Sequence, residues 1–384
     1  VFHSSAGTLF ILLAIVSFFF FLEKQFKWKI FQYLPPLIWI YTLPVLFSNT
    51  GVIPHKCDLY SGLSSYALPM FIVLMLLEVD FMAVVRVIGR GLFVMLMGTV
   101  GVVVGGPIAY LIFRSQLEPY MVGGFGALAG SWIGGTGNMA AVGADATPEA
   151  MGLAVIADNM VYIIWLPILL ASKGLASKFQ RFTGADKDRV SKMESAVANL
   201  QQKSKEVEMQ HVLYLALIGI AATLLARAIA SHLPVIDPYI STNTWRVLSV
   251  TTIGILLSFT PARRIPGSQP IAMAIIYLFV ASMGAKASLE GLSDAPIFLA
   301  AAYVWIFIHG FFCLLGARLF KVDVHTAAIA SAANIGGAAS APIVAACHRK
   351  SLVPVSVLMA LIGYALGTFM GYVTLWLCQW VSQM

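Results

Sequence analysis

The length of its apolar runs constrains this chain more than any other feature. Stretches of about 15–25 residues, nearly free of charge, recur from end to end, and each is long enough to cross a bilayer as a helix. Of 384 residues, 59% are hydrophobic and only 11% charged, where a soluble domain carries about 25% charge. The chain is therefore expected to be an all-α polytopic membrane protein, surrounded by membrane lipid in a bacterial inner (plasma) membrane. Its net charge of +7 does not imply a nucleic-acid partner. The basic residues sit in short loops between apolar runs, which is the charge bias of cytoplasmic loops. Four scattered cysteines without CxxC spacing give neither a disulfide framework nor a metal site. The first run, Leu9 to Leu22, lacks the basic leader and small-residue cleavage site of a signal peptide and reads as a spanning helix.

The runs fall near 6–22, 34–50, 62–78, 91–113, 120–142, 150–172, 211–233, 246–260, 269–284, 296–319, 325–347 and 352–381, six on each side of one long polar stretch. That divides the chain into a first transmembrane repeat (1–172), a charged cytoplasmic linker (173–210) and a second, inverted repeat (211–384). Within the linker, Asp188 to Gln210 has the charge pattern of a solvated segment or a surface helix. The fifth and eleventh runs carry matching Gly-Gly breaks, Ser131-Trp132-Ile133-Gly134-Gly135-Thr136-Gly137-Asn138 and Ala333-Asn334-Ile335-Gly336-Gly337-Ala338-Ala339-Ser340. A helix broken inside lipid leaves polar backbone groups that must be buried in protein or line a wet cavity. Breaks at corresponding places in two halves point to a transporter's binding site.

Loop charge says how these two runs lie. If every run crossed fully, the acidic Asp145–Glu149 loop would fall inside and the basic linker outside. If the fifth and eleventh runs instead dip in and return, Lys24, Arg86, Arg90, the linker, Arg263, Arg264, Arg318, Lys321, Arg349 and Lys350 all become cytoplasmic. Each half then has five crossings and one dip. An odd number inverts the second half and brings the dips in from opposite faces.

The first dip offers Ser131, Thr136 and Asn138 beside Gly134, Gly135 and Gly137; the second offers Ser331, Asn334 and Ser340 beside Gly336 and Gly337. Freed backbone and small polar side chains suit a substrate or a cation. Close helix packing is the plainer use of such residues. Ser340 followed by Pro342, and Thr147-Pro148-Glu149, read as capped helix starts, and helix starts inside a membrane suit a carboxylate. Asp158 and Asn159 lie deep in the sixth run, where an acid is costly and signals a proton or sodium ligand, or else a structural partner. Glu78 and Asp80 read as interfacial. Lys286 reads equally as an anion's partner or an interface marker, and His309 as a hydrogen-bonded bundle residue. Walker, HExxH and Gly-x-Ser-x-Gly motifs do not occur, so neither an ATP-driven pump nor an enzyme is expected.

The first dip, Ile156-Ala157-Asp158-Asn159 and the second dip together resemble the YjcL-like membrane proteins (domain of unknown function 819), along nearly the whole chain. That family is similar to the cation:proton antiporter and anion transporter superfamily. The resemblance implies an elevator-type secondary transporter, with a mobile core of broken segments sliding on a scaffold that forms a homodimer. The order Asp158-Asn159 departs from the Asn-Asp or Asp-Asp pair of the antiporter branch. The expectation is a transporter of a small organic anion, amino acid or small peptide coupled to sodium or protons. Ser131, Gly134, Gly135, Thr136, Asn138, Asn334, Gly336, Gly337 and Ser340 would meet the solute, and Asp158 and Asn159 the coupling ion. No cofactor is expected beyond sodium, for which Asn138, Asp158 and Asn159 suggest a place. The alternatives are a monovalent cation:proton antiporter, and a channel or non-transporting scaffold.

Overall fold

The computed structural model describes residues 2–26, 31, 36–77, 79, 88–186, 206–236, 239–287 and 295–384. Fifteen helices are named here in chain order: α1 (Ser5–Phe26), α2 (Pro36–Asn49), α3 (Asp58–Leu77), α4 (Arg90–Phe113), α5 (Val122–Gly134), α6 (Thr136–Val142), α7 (Pro148–Ala171), α8 (Ala176–Thr183), α9 (Met209–Ser231), α10 (Thr242–Ser258), α11 (Ser268–Lys286), α12 (Ala295–Leu319), α13 (Val324–Ile335), α14 (Gly337–His348) and α15 (Val353–Gln383). Among the described residues eight helical stretches are long and apolar enough to cross a membrane, the first of them α1. Glu78, Asp80 and Arg86, and the linker from 187 to 205, lie outside the described residues.

The helices form two groups. The first three runs of each half, α1–α3 and α9–α11, pack chiefly on one another. The last three of each half, α4–α7 and α12–α15, do the same. In lipid such groups cohere by close packing, because the tails are as apolar as leucine. Glycine supplies the closeness in the second group. Gly126, Gly130 and Gly134 recur every fourth residue on α5, and Gly363, Gly367 and Gly371 on α15. A Cβ on Gly367 would lie 2.9 Å from the Gly134 Cα, and one on Gly371 3.1 Å from the Gly130 Cα. The large rings collect where glycine leaves room: Phe125, Trp132, Phe298 and Trp305 are all buried, with Phe125 and Trp305 stacked at 5.5 Å.

Both Gly-Gly runs fold as hairpins. A Cβ on Gly130 would lie 2.6 Å from the Asn138 carbonyl oxygen, and one on Gly143 3.0 Å from the Ala127 Cβ. Residues eight and sixteen apart in sequence touch only if the chain turns back. In the second hairpin the start of α13 meets the end of α14, with His325 Nδ1 3.0 Å from His348 Nδ1. The legs of α13 and α14 have 12 residues each, about 18 Å of helix, against about 30 Å of hydrocarbon.

The hairpins enter from opposite ends. α4 and α15 run parallel, since Cβ atoms on Gly91 and Gly106 would meet Met359 and Thr374. α5 runs antiparallel to α15, from Gly126 at Leu375 to Gly134 at Gly367. α13 runs parallel to α4, from Thr326 at Gly91 to Asn334 at Thr99. One mouth therefore opens at the Asp145 end and the other at the basic end, where Lys173 Nζ donates to the Cys347 carbonyl (2.7 Å).

Candidate functional site

The two tips meet. A Cβ on Gly337 would stand 3.6 Å from the Gly135 Cα, and both glycines pack on the ring of Tyr364, midway along α15. The tips turn at positive φ, +78° at Gly135 and +56° at Gly337, which L side chains avoid. α6 and α14 begin at the tips, so the positive ends of two helix dipoles lie at the meeting point.

α7 supplies the chemistry beside them. Thr147 caps it by accepting from the Ala150 amide at 3.2 Å, and Pro148 fits its first turn, as its sequence implies. Asp158 accepts from Trp132 Nε1 at 3.0 Å and lies against Ser131, both on the first hairpin. One turn on, the Tyr162 ring approaches the second break, 3.2 Å from where a Gly336 Cβ would lie, with Ser340 on the same glycine. The Asp158–Tyr162 face of α7 thus touches both hairpins. Ser131, Gly135, Asp158, Gly336, Gly337 and Ser340 converge around the tips.

Other expected residues turn elsewhere. Asn138 accepts from Thr368 Oγ1 (2.6 Å) and donates to the Gly134 carbonyl (2.8 Å), which pins the first hairpin to α15. Gly134 itself is occupied in that packing, against Gly363 and the Asn138 side chain. Asn334 pairs with Thr99 of α4 at 3.0 Å. Asn159 donates to the Val155 carbonyl and faces α2, away from the Asp158 partners. Asn138, Asp158 and Asn159 therefore share no hydrogen-bond partner. Ser340 is not a helix cap: α14 already starts at Gly337, whose positive φ begins the helix early, and Pro342 lies inside it. His309 is a bundle residue as expected, buried between the Gly98 carbonyl (2.9 Å) and Ser331 Oγ (3.0 Å). Ser331 also accepts from Trp165 Nε1 at 3.0 Å, so it too is engaged in the bundle. Lys286 ends α11, partly buried.

Thr136 faces the other helix group, across a slit lined by Tyr41, Met151 and Val280. Beyond Tyr41 a cavity of about 390 Å³ opens between α2 and α7, reaching from Glu149 to Asn159. The Tyr41 hydroxyl is buried there without a hydrogen-bond partner among the described residues. Tyr162, Tyr364 and Tyr41 escaped the sequence reading. Tyr162 was within reach, because it lies four residues after Asp158 and shares its helix face.

Opposed glycine-tipped hairpins beside a membrane-embedded acid define a transporter-like polytopic membrane protein. The chain belongs to the DUF819 family, described as proteins of unknown function, whose model matches residues 10–384. It is 27% identical over 364 residues to the uncharacterised membrane protein YjcL of Bacillus subtilis strain 168, covering 91% of each chain.

Proposed function

We propose that this protein is a secondary active transporter of a small organic anion, amino acid or small peptide, coupled to sodium or protons. The observation that carries the reading is the contact of the two glycine tips, Gly135 with Gly337, under Tyr364 and beside Asp158. Broken backbone is tolerated at membrane depth where it is held by protein or lines a cavity, and a midplane binding site uses it. The starts of α6 and α14 favour an anionic group on the solute, and Asp158 is the coupling residue. Entry of the hairpins from opposite ends supports inverted repeats. The two helix groups, with the cavity between α2 and α7, support an elevator in which α4–α7 and α12–α15 slide against α1–α3 and α9–α11.

A ligand screen by thermal unfolding, with and without sodium, tests the proposal. A solute that stabilises wild type only with sodium, or only at acid pH, and fails to stabilise Asp158→Asn, is the expected result. Tolerance of Asp158→Ala and of Ala-Ala at both Gly-Gly pairs counts for a non-transporting scaffold, and passive flux without a gradient counts for a channel. The embedded carboxylate also fits a cation:proton antiporter. That reading expects pH-dependent sodium or potassium exchange without organic solute, lost in Asp158→Asn. For the topology, a cysteine at Asp145 reacting only from the cytoplasm would overturn the re-entrant placement.

A further inference from the structure

Asp158 and Asn159 are neighbours on α7 but belong to different faces, and the Asn159 face borders a cavity of its own. That face carries Glu149, Gly152, Ile156 and Asn159 along about 15 Å of helix, and α2 closes the other side with Tyr41 and Val45. The volume of about 390 Å³ is that of a small-molecule pocket. Most of the wall is apolar, but two polar groups on it are unsatisfied. The Tyr41 side chain is only 4% exposed, and its hydroxyl has no hydrogen-bond partner among the described residues. That hydroxyl stands over Gly152, 3.2 Å from where a Cβ would lie. One turn nearer the start of α7, Glu149 lies within electrostatic reach of it. The Glu149 carboxylate makes no hydrogen bond or ion pair among the described residues. A helix start favours a carboxylate at this place, but it supplies only about half a charge. At the far end the Asn159 amide is bonded to the Val155 carbonyl (2.7 Å). No lining residue is basic, and Lys286, beside Ala287 in sequence, is not part of the wall. A buried hydroxyl left unpaired is costly, and so is a carboxylate facing an apolar space. The complement of this wall is an elongated apolar molecule ending in an ammonium group, which brings N–H donors and the missing positive charge.

We propose that this cavity binds a small primary amine with an apolar body, its ammonium between Glu149 and the Tyr41 hydroxyl and its body along Val45, Leu153 and Ile156. An ethanolamine lipid carries the same ammonium but also a phosphate, for which the wall offers no cation. The bound amine touches α2 and α7 together and so ties the two helix groups to each other. Its binding does not depend on the transport reading.

The test is thermal unfolding of the full chain in neutral detergent with octylamine, octanol or octanoate, which share a chain and differ in the head. Octylamine is expected to raise Tm by several degrees more than octanol, and octanoate to raise it no more than octanol. In Glu149→Gln the octylamine shift should fall to the level of octanol. Tyr41→Phe should not lower the Tm of the free protein, because it removes an unpaired buried hydroxyl, and it should shrink the octylamine shift. Thr42→Trp, which fills the cavity from its exposed rim, should abolish the shift with the carboxylate intact. Asp158→Asn should keep the shift, which separates this site from the hairpin tips. Equal shifts by octylamine and octanol in wild type would overturn the proposal. So would an octylamine shift that survives both Glu149→Gln and Thr42→Trp, or one lost in Asp158→Asn. A shift by phosphatidylethanolamine larger than that by octylamine would give the cavity to a lipid and overturn it as well.

Discussion

Replacing Gly135 by alanine isolates the backbone of the hairpin tip from its packing. Gly135 has φ +78° and ψ −175°, a region that only glycine visits freely and that costs other residues about 1–3 kcal/mol. Space is not the obstacle, because the new Cβ meets only Tyr364 Cε1 at 3.4 Å and the Gly337 Cα at 3.9 Å. At an unfolding entropy of about 2 cal/mol/K per residue over 384 residues, that cost lowers Tm by about 1–4 °C. Gly184 is the matched control, with φ +67° in open space at the end of α8, where alanine costs about 1–2 kcal/mol. Thermal unfolding of both variants should therefore show similar small losses. Solute-dependent stabilisation and uptake into proteoliposomes should disappear in Gly135→Ala alone. A Gly135→Ala protein as stable as wild type would refute the strain argument. One that loses stability yet transports like Gly184→Ala would remove the tip from the mechanism.

Asn138→Ala strips two buried hydrogen bonds, one from Thr368 of α15 to the first hairpin and one to the Gly134 carbonyl within the hairpin. It should cost about 1–3 kcal/mol in thermal or denaturant unfolding, and an unchanged Tm would show that the amide is not a structural clasp. Asp145 accepts from Ser241 (2.6 Å), Asn243 (2.8 Å) and Thr244 (3.3 Å) at the start of α10, which ties the first hairpin's mouth to the other helix group. Asp145→Ala should leave stability within about 1 kcal/mol, since the bonds are at the surface, yet speed thiol labelling of a cysteine at Thr147 several-fold. Equal labelling rates would show that the tie does not restrain the mouth. At the other mouth, outside the crossing helices, His348 Nε2 donates to the Leu169 carbonyl (2.9 Å), so its Nδ1 accepts from His325. Burial above all lowers both imidazole pKa values; Lys173 and, for His325, Arg349 add to it, while Asp323 opposes. The unfolded chain then binds protons first, so this stability is complete above about pH 6.5 and is lost as pH falls below it. A His325→Gln/His348→Gln protein should show a flatter Tm profile between about pH 5 and 7, and an unaltered slope would assign the effect elsewhere.

The sequence was most informative where one dimension carries the physics. Apolar length placed the helices, and loop charge identified the two returning segments, because both are properties of consecutive residues. Gly135 and Gly337 were legible as breaks for the same reason. Directions across the bundle were not. Asn138 and Asn334 looked like solute ligands in their glycine-rich settings, but Thr368 and Thr99, more than two hundred residues away, claim them. Ser340 and Pro342 looked like a helix start because that pattern usually is one, whereas the positive φ at Gly337 begins α14 three residues sooner. Tyr364 gave no signal, since a tyrosine within an apolar run reads as core until both tips are found against it.

Each hairpin is seated in part on the other half of the chain. The first, made by residues before the linker, lies on α15, and the second, made by residues after it, packs on α15 and, along its α13 leg, on α4. Neither half of the chain holds a complete seat for its own hairpin. A fragment ending in the linker would leave the Gly126–Gly130–Gly134 stripe without its mate, and the complementary fragment would leave Gly363, Gly367 and Gly371 bare. The halves are clasped partners rather than neighbours on a string. Two separately produced fragments, co-inserted in one membrane, have a reason to find each other that does not depend on the covalent link.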